Sequence, residues 1–186
     1  MESLESISSK IISCKLCDLC KSRKNAVPGE GKSNAYLLII GEAPGRYEDD
    51  TGRPFVGMSG KFLNKYLEMV GIERSETFIT NAVKCRPPNN RKPLDKEIDA
   101  CRPYLLGQMS SIKPKLILGL GTSACNSLGI KYKHLSEVRG RKMHMEFYGL
   151  EVDVFITFHP SFPMRFKSQR DKFLEDLKKV KALISD

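Results

Sequence analysis

The sequence predicts an α/β fold, a three-layer αβα sandwich around a central, mainly parallel four-stranded sheet. Three observations lead there. Four short runs of apolar or β-favouring residues have strand length: Tyr36–Ile40, Thr77–Val83, Leu116–Leu120 and Val152–Phe158. Segments with helical spacing alternate with them, as parallel strands joined by crossovers require. Finally, the loops richest in Gly, Pro and polar residues begin where three of these strands end, at Gly41–Gly57, Asn81–Pro93 and His159–Arg165. In an open α/β sheet, ligands bind at the carboxyl ends of the strands.

The elements follow in order. After Tyr36–Ile40 and its loop, Ser59 can cap a helix that carries Phe62, Leu63, Tyr66, Leu67 and Val70 on one face, with Gly71 closing it. Thr77–Val83 is the second strand. A loop over Pro87–Pro93 leads to a helix from about Leu94, which Pro103 should kink or end because it removes a backbone donor. Leu116–Leu120 is the third strand, with Gly121 and Thr122 starting a short helix, and Val152–Phe158 is the fourth. The last segment, Asp171–Ile184, sets Phe173, Leu174, Leu177, Val180 and Ile184 at helical spacing. No repeat or linker interrupts the chain, so residues 1–186 read as a single domain.

Composition narrows the function classes. Lys and Arg outnumber Asp and Glu by 31 to 22, a net charge of +9 that suits a polyanionic partner. No apolar run approaches the roughly 20 residues of a membrane span, and the polar, Ser-rich start lacks a secretory core. The expectation is a cytoplasmic protein with no membrane partner, where disulfides are rare. The six cysteines then point to metal or redox chemistry. Cys14 and Cys17 form a C-x2-C pair, with Cys85 and Cys101 as two further thiols. Four thiolates can close a tetrahedral zinc site or hold an iron–sulfur cluster, and spacing alone leaves both open. Cys20 extends the opening to C-x2-C-x2-C, and Cys125 reads as a core residue.

Five ordered blocks carry a family resemblance: Cys14-x2-Cys17, Gly41-Glu42-Ala43-Pro44-Gly45, Thr51 to Gly57, Thr80 to Pro88, and His159-Pro160-Ser161. Together they resemble the family 4 uracil-DNA glycosylases, the iron–sulfur branch of that superfamily. The resemblance implies a 4Fe–4S cluster on Cys14, Cys17, Cys85 and Cys101. It implies hydrolysis of the bond between a flipped uracil and its deoxyribose, a monofunctional reaction that starts base excision repair. Glu42 is similar to the family's water-positioning carboxylate, and His159 to the histidine that stabilises the departing uracil anion. The backbone of Glu42 and Ala43 should face the base, Phe55 should stack on it, and Asn81 should bond its N3–H and O4. Glu48 falls where the family excludes the 5-methyl group of thymine. Phe162, Pro163, Met164 and Arg165 should include the wedge that fills the vacated stack. Lys84, Arg86, Arg91, Lys92, Arg165, Lys167 and Arg170 are available for phosphates by position.

The implied partner is uracil-containing DNA, single- or double-stranded, engaged by a monomer, and a replication-clamp contact is compatible with the sequence. Three rivals remain. Some iron–sulfur relatives become covalently trapped on uracil-DNA, but they carry a basic, His-containing insert after the Asn motif, and Asn89 to Pro93 is short and without His. A zinc-stabilised, non-catalytic nucleic-acid module would be colourless and release no base. A nucleotide-binding reading of Gly119-Leu120-Gly121 fails because Ala124 breaks the glycine pattern.

Overall fold

A computed structural model describes residues 2–185. Helix α1 (Leu4–Ile12) opens the chain and is capped by Ser3, whose hydroxyl accepts from the Ser6 N–H. There follow β1 (Glu30–Gly31), β2 (Leu37–Gly41), α2 (Arg46–Thr51), α3 (Met58–Met69) and β3 (Thr77–Asn81). The second half comprises α4 (Asp95–Ile112), β4 (Leu116–Leu120), α5 (Thr122–Ser127), β5 (Lys142–Phe147), β6 (Leu150–Thr157), α6 (Ser161–Arg165) and α7 (Arg170–Ser185).

The strands form one six-stranded sheet in the order β1-β3-β2-β4-β6-β5. Its four central strands are parallel, as expected, and two antiparallel edge strands that the sequence did not suggest complete it. Alternation along the central strands divides the core. Leu38, Ile40, Ile117, Val154 and Ile156 meet Leu105, Met109 and Ile112 of α4 and Ala124 and Cys125 of α5. Leu37, Ile39, Leu118, Leu120 and Phe155 meet Leu63, Tyr66 and Leu67 of α3 and Phe173, Leu177 and Val180 of α7. Three layers result because every central strand is apolar on both faces.

Three local expectations need correction. The loop after β2 contains α2, which Gly52 ends in a left-handed conformation (φ 72°). Helix α3 begins one residue after Gly57, so Ser59 lies inside it rather than at its cap. Pro103 does not end α4, which continues to Ile112. The missing backbone donor costs about 3 kcal/mol, which is offset by burial of Ile98, Cys101, Leu105, Met109 and Ile112 along the same helix.

The parallel arrangement sends the carboxyl ends of β2, β3, β4 and β6 the same way. Gly41 and Asn81, the last residues of β2 and β3, are direct register partners. A smaller third core joins Ile7, Ile11 and Leu19 of the N-terminal segment to Val83, Cys85, Ile98 and Cys101. That core fastens the cysteine-bearing start of the chain beside the end of β3.

Candidate active site

At that end of the sheet lies an open cavity of about 480 Å³, lined by Glu42, Ala43, Glu48, Phe55, Asn81, His159 and Arg165, among others. The three loops singled out in the sequence therefore meet. Asn81 is 2% exposed, and its Oδ1 is buried without a hydrogen-bond partner among the described residues. Leaving such an acceptor empty costs about 1–3 kcal/mol, the mark of a group kept for a ligand.

Phe55 is held beside it in an unfavourable backbone conformation, with φ at 52°. Arg74 clamps this turn, its guanidinium donating to the carbonyls of Phe55 (3.0 Å) and Pro54 (2.6 Å) while also meeting Asn64 and Glu30. Gly60 permits the close approach, since a Cβ there would lie 1.9 Å from the Phe55 carbonyl oxygen. Arg74 is a functional support missed in the sequence, where a lone arginine before a strand carries no signal.

Glu48 lines the cavity, yet its carboxylate is engaged by the loop itself. Oε1 accepts from the N–H groups of Val56 (2.9 Å) and Gly57 (2.7 Å), and Oε2 from that of Gly45 (3.1 Å). It is the strut that closes the loop between Gly45 and Gly57.

His159 follows β6 and faces Phe55, with ring centroids 6.3 Å apart. Its Nδ1 accepts from the Ser161 backbone N–H at 3.3 Å and lies 2.8 Å from the Ser161 hydroxyl. A backbone N–H can only donate, so in the neutral ring the proton resides on Nε2. Burial pushes the imidazole below its ordinary value, while the nearby Glu42 carboxylate pulls the other way. Glu42 itself is held by a residue absent from the sequence reading: the hydroxyl of Ser123, at the start of α5, donates to its Oε2 at 2.7 Å.

Beyond His159, Phe162 is 39% exposed and packs at a tilt between Phe158 and Phe166, at centroid distances of 4.8 and 5.0 Å. Met164 is half-buried and Arg165 exposed, whereas Pro163 is buried and so removed from the wedge candidates. The proposed phosphate contacts divide. Lys84 must be removed from that set, since it is 1% exposed and its ammonium donates to the Asn81 carbonyl (2.9 Å), Gln108 (2.8 Å) and Thr80. Arg91 makes two bonds to Glu97, and Arg170 bonds the Pro163 carbonyl. Lys92, Arg165 and Lys167 remain exposed.

The cysteines converge beside this site. Cys14, Cys17, Cys20, Cys85 and Cys101 line one small cavity with Ile11, Arg23 and Tyr104. Arg23 donates to the Cys85 sulfur at 3.0 Å, and the Lys84 N–H points at the Cys101 sulfur at 3.3 Å. Among the described residues no group of three or more His, Cys, Asp or Glu is arranged for a single metal ion. Cys125 is buried in the α4–α5 core, as expected.

Comparison with known proteins agrees with this geometry. The model of the uracil DNA glycosylase superfamily matches residues 28–180. A type-4 uracil-DNA glycosylase of Sulfurisphaera tokodaii is 45% identical over 98% of this chain and 86% of its own length. That of Saccharolobus solfataricus is 44% identical over 100% and 88%, and that of Pyrobaculum aerophilum 43% over 94% and 91%. With these identities spanning nearly the whole chain, the protein belongs to the type-4 branch of the uracil DNA glycosylase superfamily.

Proposed function

We propose that the protein removes uracil from DNA by flipping the nucleotide out of the strand and hydrolysing its N-glycosidic bond, the opening step of base excision repair. The observation that carries this reading is the buried Oδ1 of Asn81, without a partner among the described residues, beside Phe55 and His159. Uracil supplies what that pocket lacks: an N3–H for Oδ1, an O4 for the Asn81 amide N–H, and a flat face for Phe55.

The chemistry divides between two groups. As the bond breaks, negative charge develops on the uracil and positive charge on the sugar. His159, neutral and with its proton on Nε2, donates to uracil O2 and stabilises the anion without giving up the proton. Glu42 orients the attacking water and its charge favours the sugar cation. The backbone of Ala43 flanks the base, and Glu48 stands as the wall against the methyl group of thymine. Phe162 and Met164 support the opened stack, and Arg165 meets a phosphate. The partner is uracil-containing DNA, and a pocket made within one chain lets a monomer do the work.

The cysteine cavity suits a 4Fe–4S cluster on Cys14, Cys17, Cys85 and Cys101. The donor set is all thiol, and N–H groups already point at two of the sulfurs. Such a cluster, once bound, would supply a cross-link between the N-terminal segment, the end of β3 and α4, and would take no part in bond cleavage. The decisive experiment is incubation with uracil-containing DNA followed by alkaline cleavage of abasic sites. Strand cleavage at uracil is expected, and its absence with a fully loaded protein would overturn the proposal.

A further inference from the structure

We propose that Ser123 is a positioning residue for this reaction, and that the turn between β4 and α5 sets the spacing of the two groups that act on the scissile bond. The inference rests on the glycosylase reading above and deepens it. Ser123 is 0% exposed, and its hydroxyl donates to Glu42 Oε2 at 2.7 Å. Among the described residues it is the side-chain donor to that carboxylate. A hydroxyl has one proton to give, so Oε2 is fixed and Oε1 is left for water.

The ordinary use of a serine at the start of a helix does not explain this contact. Gly121 occupies the cap of α5, and Ser123 directs its hydroxyl across to the β2 loop. Ser127 shows the contrast, because its hydroxyl serves its own helix by donating to the Ala124 carbonyl.

The same turn supports the second group. Gly121 adopts φ +81°, and a Cβ on it would lie 3.0 Å from the Cβ of His159. Its N–H donates to the Thr157 carbonyl at 2.9 Å, two residues before His159. One turn thus seats the Glu42 carboxylate on one side and the His159 backbone on the other. Glu42 works at the sugar and His159 at uracil O2, so their separation must match the substrate, and a misplacement of about 1 Å can cost roughly a hundredfold in rate.

The test is single-turnover uracil release by the metal-loaded protein, with DNA affinity and thermal midpoint measured in parallel. Ser123→Ala should slow release about tenfold to a hundredfold while leaving affinity for uncleavable uracil-DNA within about twofold. Ser123→Cys preserves the packing but offers only a weak donor, so it should be nearly as slow. In a Glu42→Gln background, Ser123→Ala should add no more than about a twofold loss. A Ser123→Cys protein with the wild-type rate would show that Ser123 only fills space, and would overturn the proposal. So would full additivity with Glu42→Gln. A wild-type protein that releases no uracil overturns the glycosylase reading itself, a result distinct from these.

Discussion

The amide oxygen of Asn81 passes so close to Gly41 that a Cβ on Gly41 would lie 2.4 Å from it. The same Cβ would lie 2.4 Å from the Phe55 ring, so the missing side chain of Gly41 makes room for both walls of the pocket. Gly41→Ala should therefore displace the two groups proposed to hold the base. Uracil release is expected to fall at least about a hundredfold, with a stability loss of about 1–3 kcal/mol from overpacking. Single-turnover kinetics and thermal unfolding together check this. Near-native activity would mean that neither wall touches the base.

The second expectation concerns pH. His159 is held below its ordinary value of 6.5 by burial, so the folded protein binds its proton less readily than the unfolded chain. Its contribution to stability is fully present above 6.5 and is lost as pH falls from there toward the folded value. Glu42 opposes the shift, so Glu42→Gln should move the His159 titration still lower, as imidazole nitrogen NMR would record. With the proposed role of the ring as a neutral donor, base release should stay flat from roughly pH 7 to 8.5. A tenfold fall per unit across that range would identify the imidazolium as the active form.

Legibility in the sequence followed burial. The central strands were plain because a strand covered on both faces is a near-continuous apolar run, as in Leu116–Leu120. Strand β5 escaped notice because Lys142, His144 and Glu146 alternate with half-buried neighbours on the sheet edge. With two residues, β1 is too short for any periodicity. The pocket residues were legible through ordered motifs, whereas Arg74 and Ser123 act through contacts made only after folding. Lys84 misled for the opposite reason: its charge suggests solvent, and only the fold reveals three buried acceptors around it.

That correction separates two lysine and arginine roles by experiment. Arg165→Gln should weaken DNA binding and reduce the slope of log affinity against log salt by about 1. Lys84→Gln should leave the slope unchanged and lower the thermal midpoint, because the Thr80, Asn81 and Gln108 oxygens lose their shared donor. An altered salt slope for Lys84→Gln would return that residue to the phosphate-binding set.

The cysteine cavity makes an equally direct demand. Protein prepared without oxygen should be brown and carry about four iron atoms per chain. Cys85→Ser should lose iron and destabilise the end of β3, since Cys85 shares a core with Ile11, Leu19 and Ile98. Cys125→Ala should retain the iron, because Cys125 lies in the separate α4–α5 core. Zinc in place of iron would refute the cluster assignment.

Base selection at Asn81 gives the sharpest test. Uracil presents a donor at N3 and an acceptor at O4, and cytosine presents the reverse. The Asn81 side chain emerges from the last residue of β3, and its backbone carbonyl is held by Lys84. Its Oδ1 lies buried beside Gly41 and Phe55, and with packing holding the amide this way round the oxygen is the atom offered to N3 of the base. Cytosine then meets an acceptor with an acceptor in a desolvated pocket, a mismatch that can discriminate by about 10⁴ or more. Asn81→Asp replaces the donor with a second acceptor. Uracil release should fall about a hundredfold or more, because O4 would face a carboxylate oxygen, and slow release of cytosine should emerge through its amino group. Protonating the introduced acid restores a donor, so part of the uracil activity should return as pH is lowered. The measurement is release of both bases from matched single-stranded oligonucleotides across neutral and acidic pH. Unchanged uracil release with unaltered selectivity would remove Asn81 from base recognition and leave its buried oxygen without a purpose.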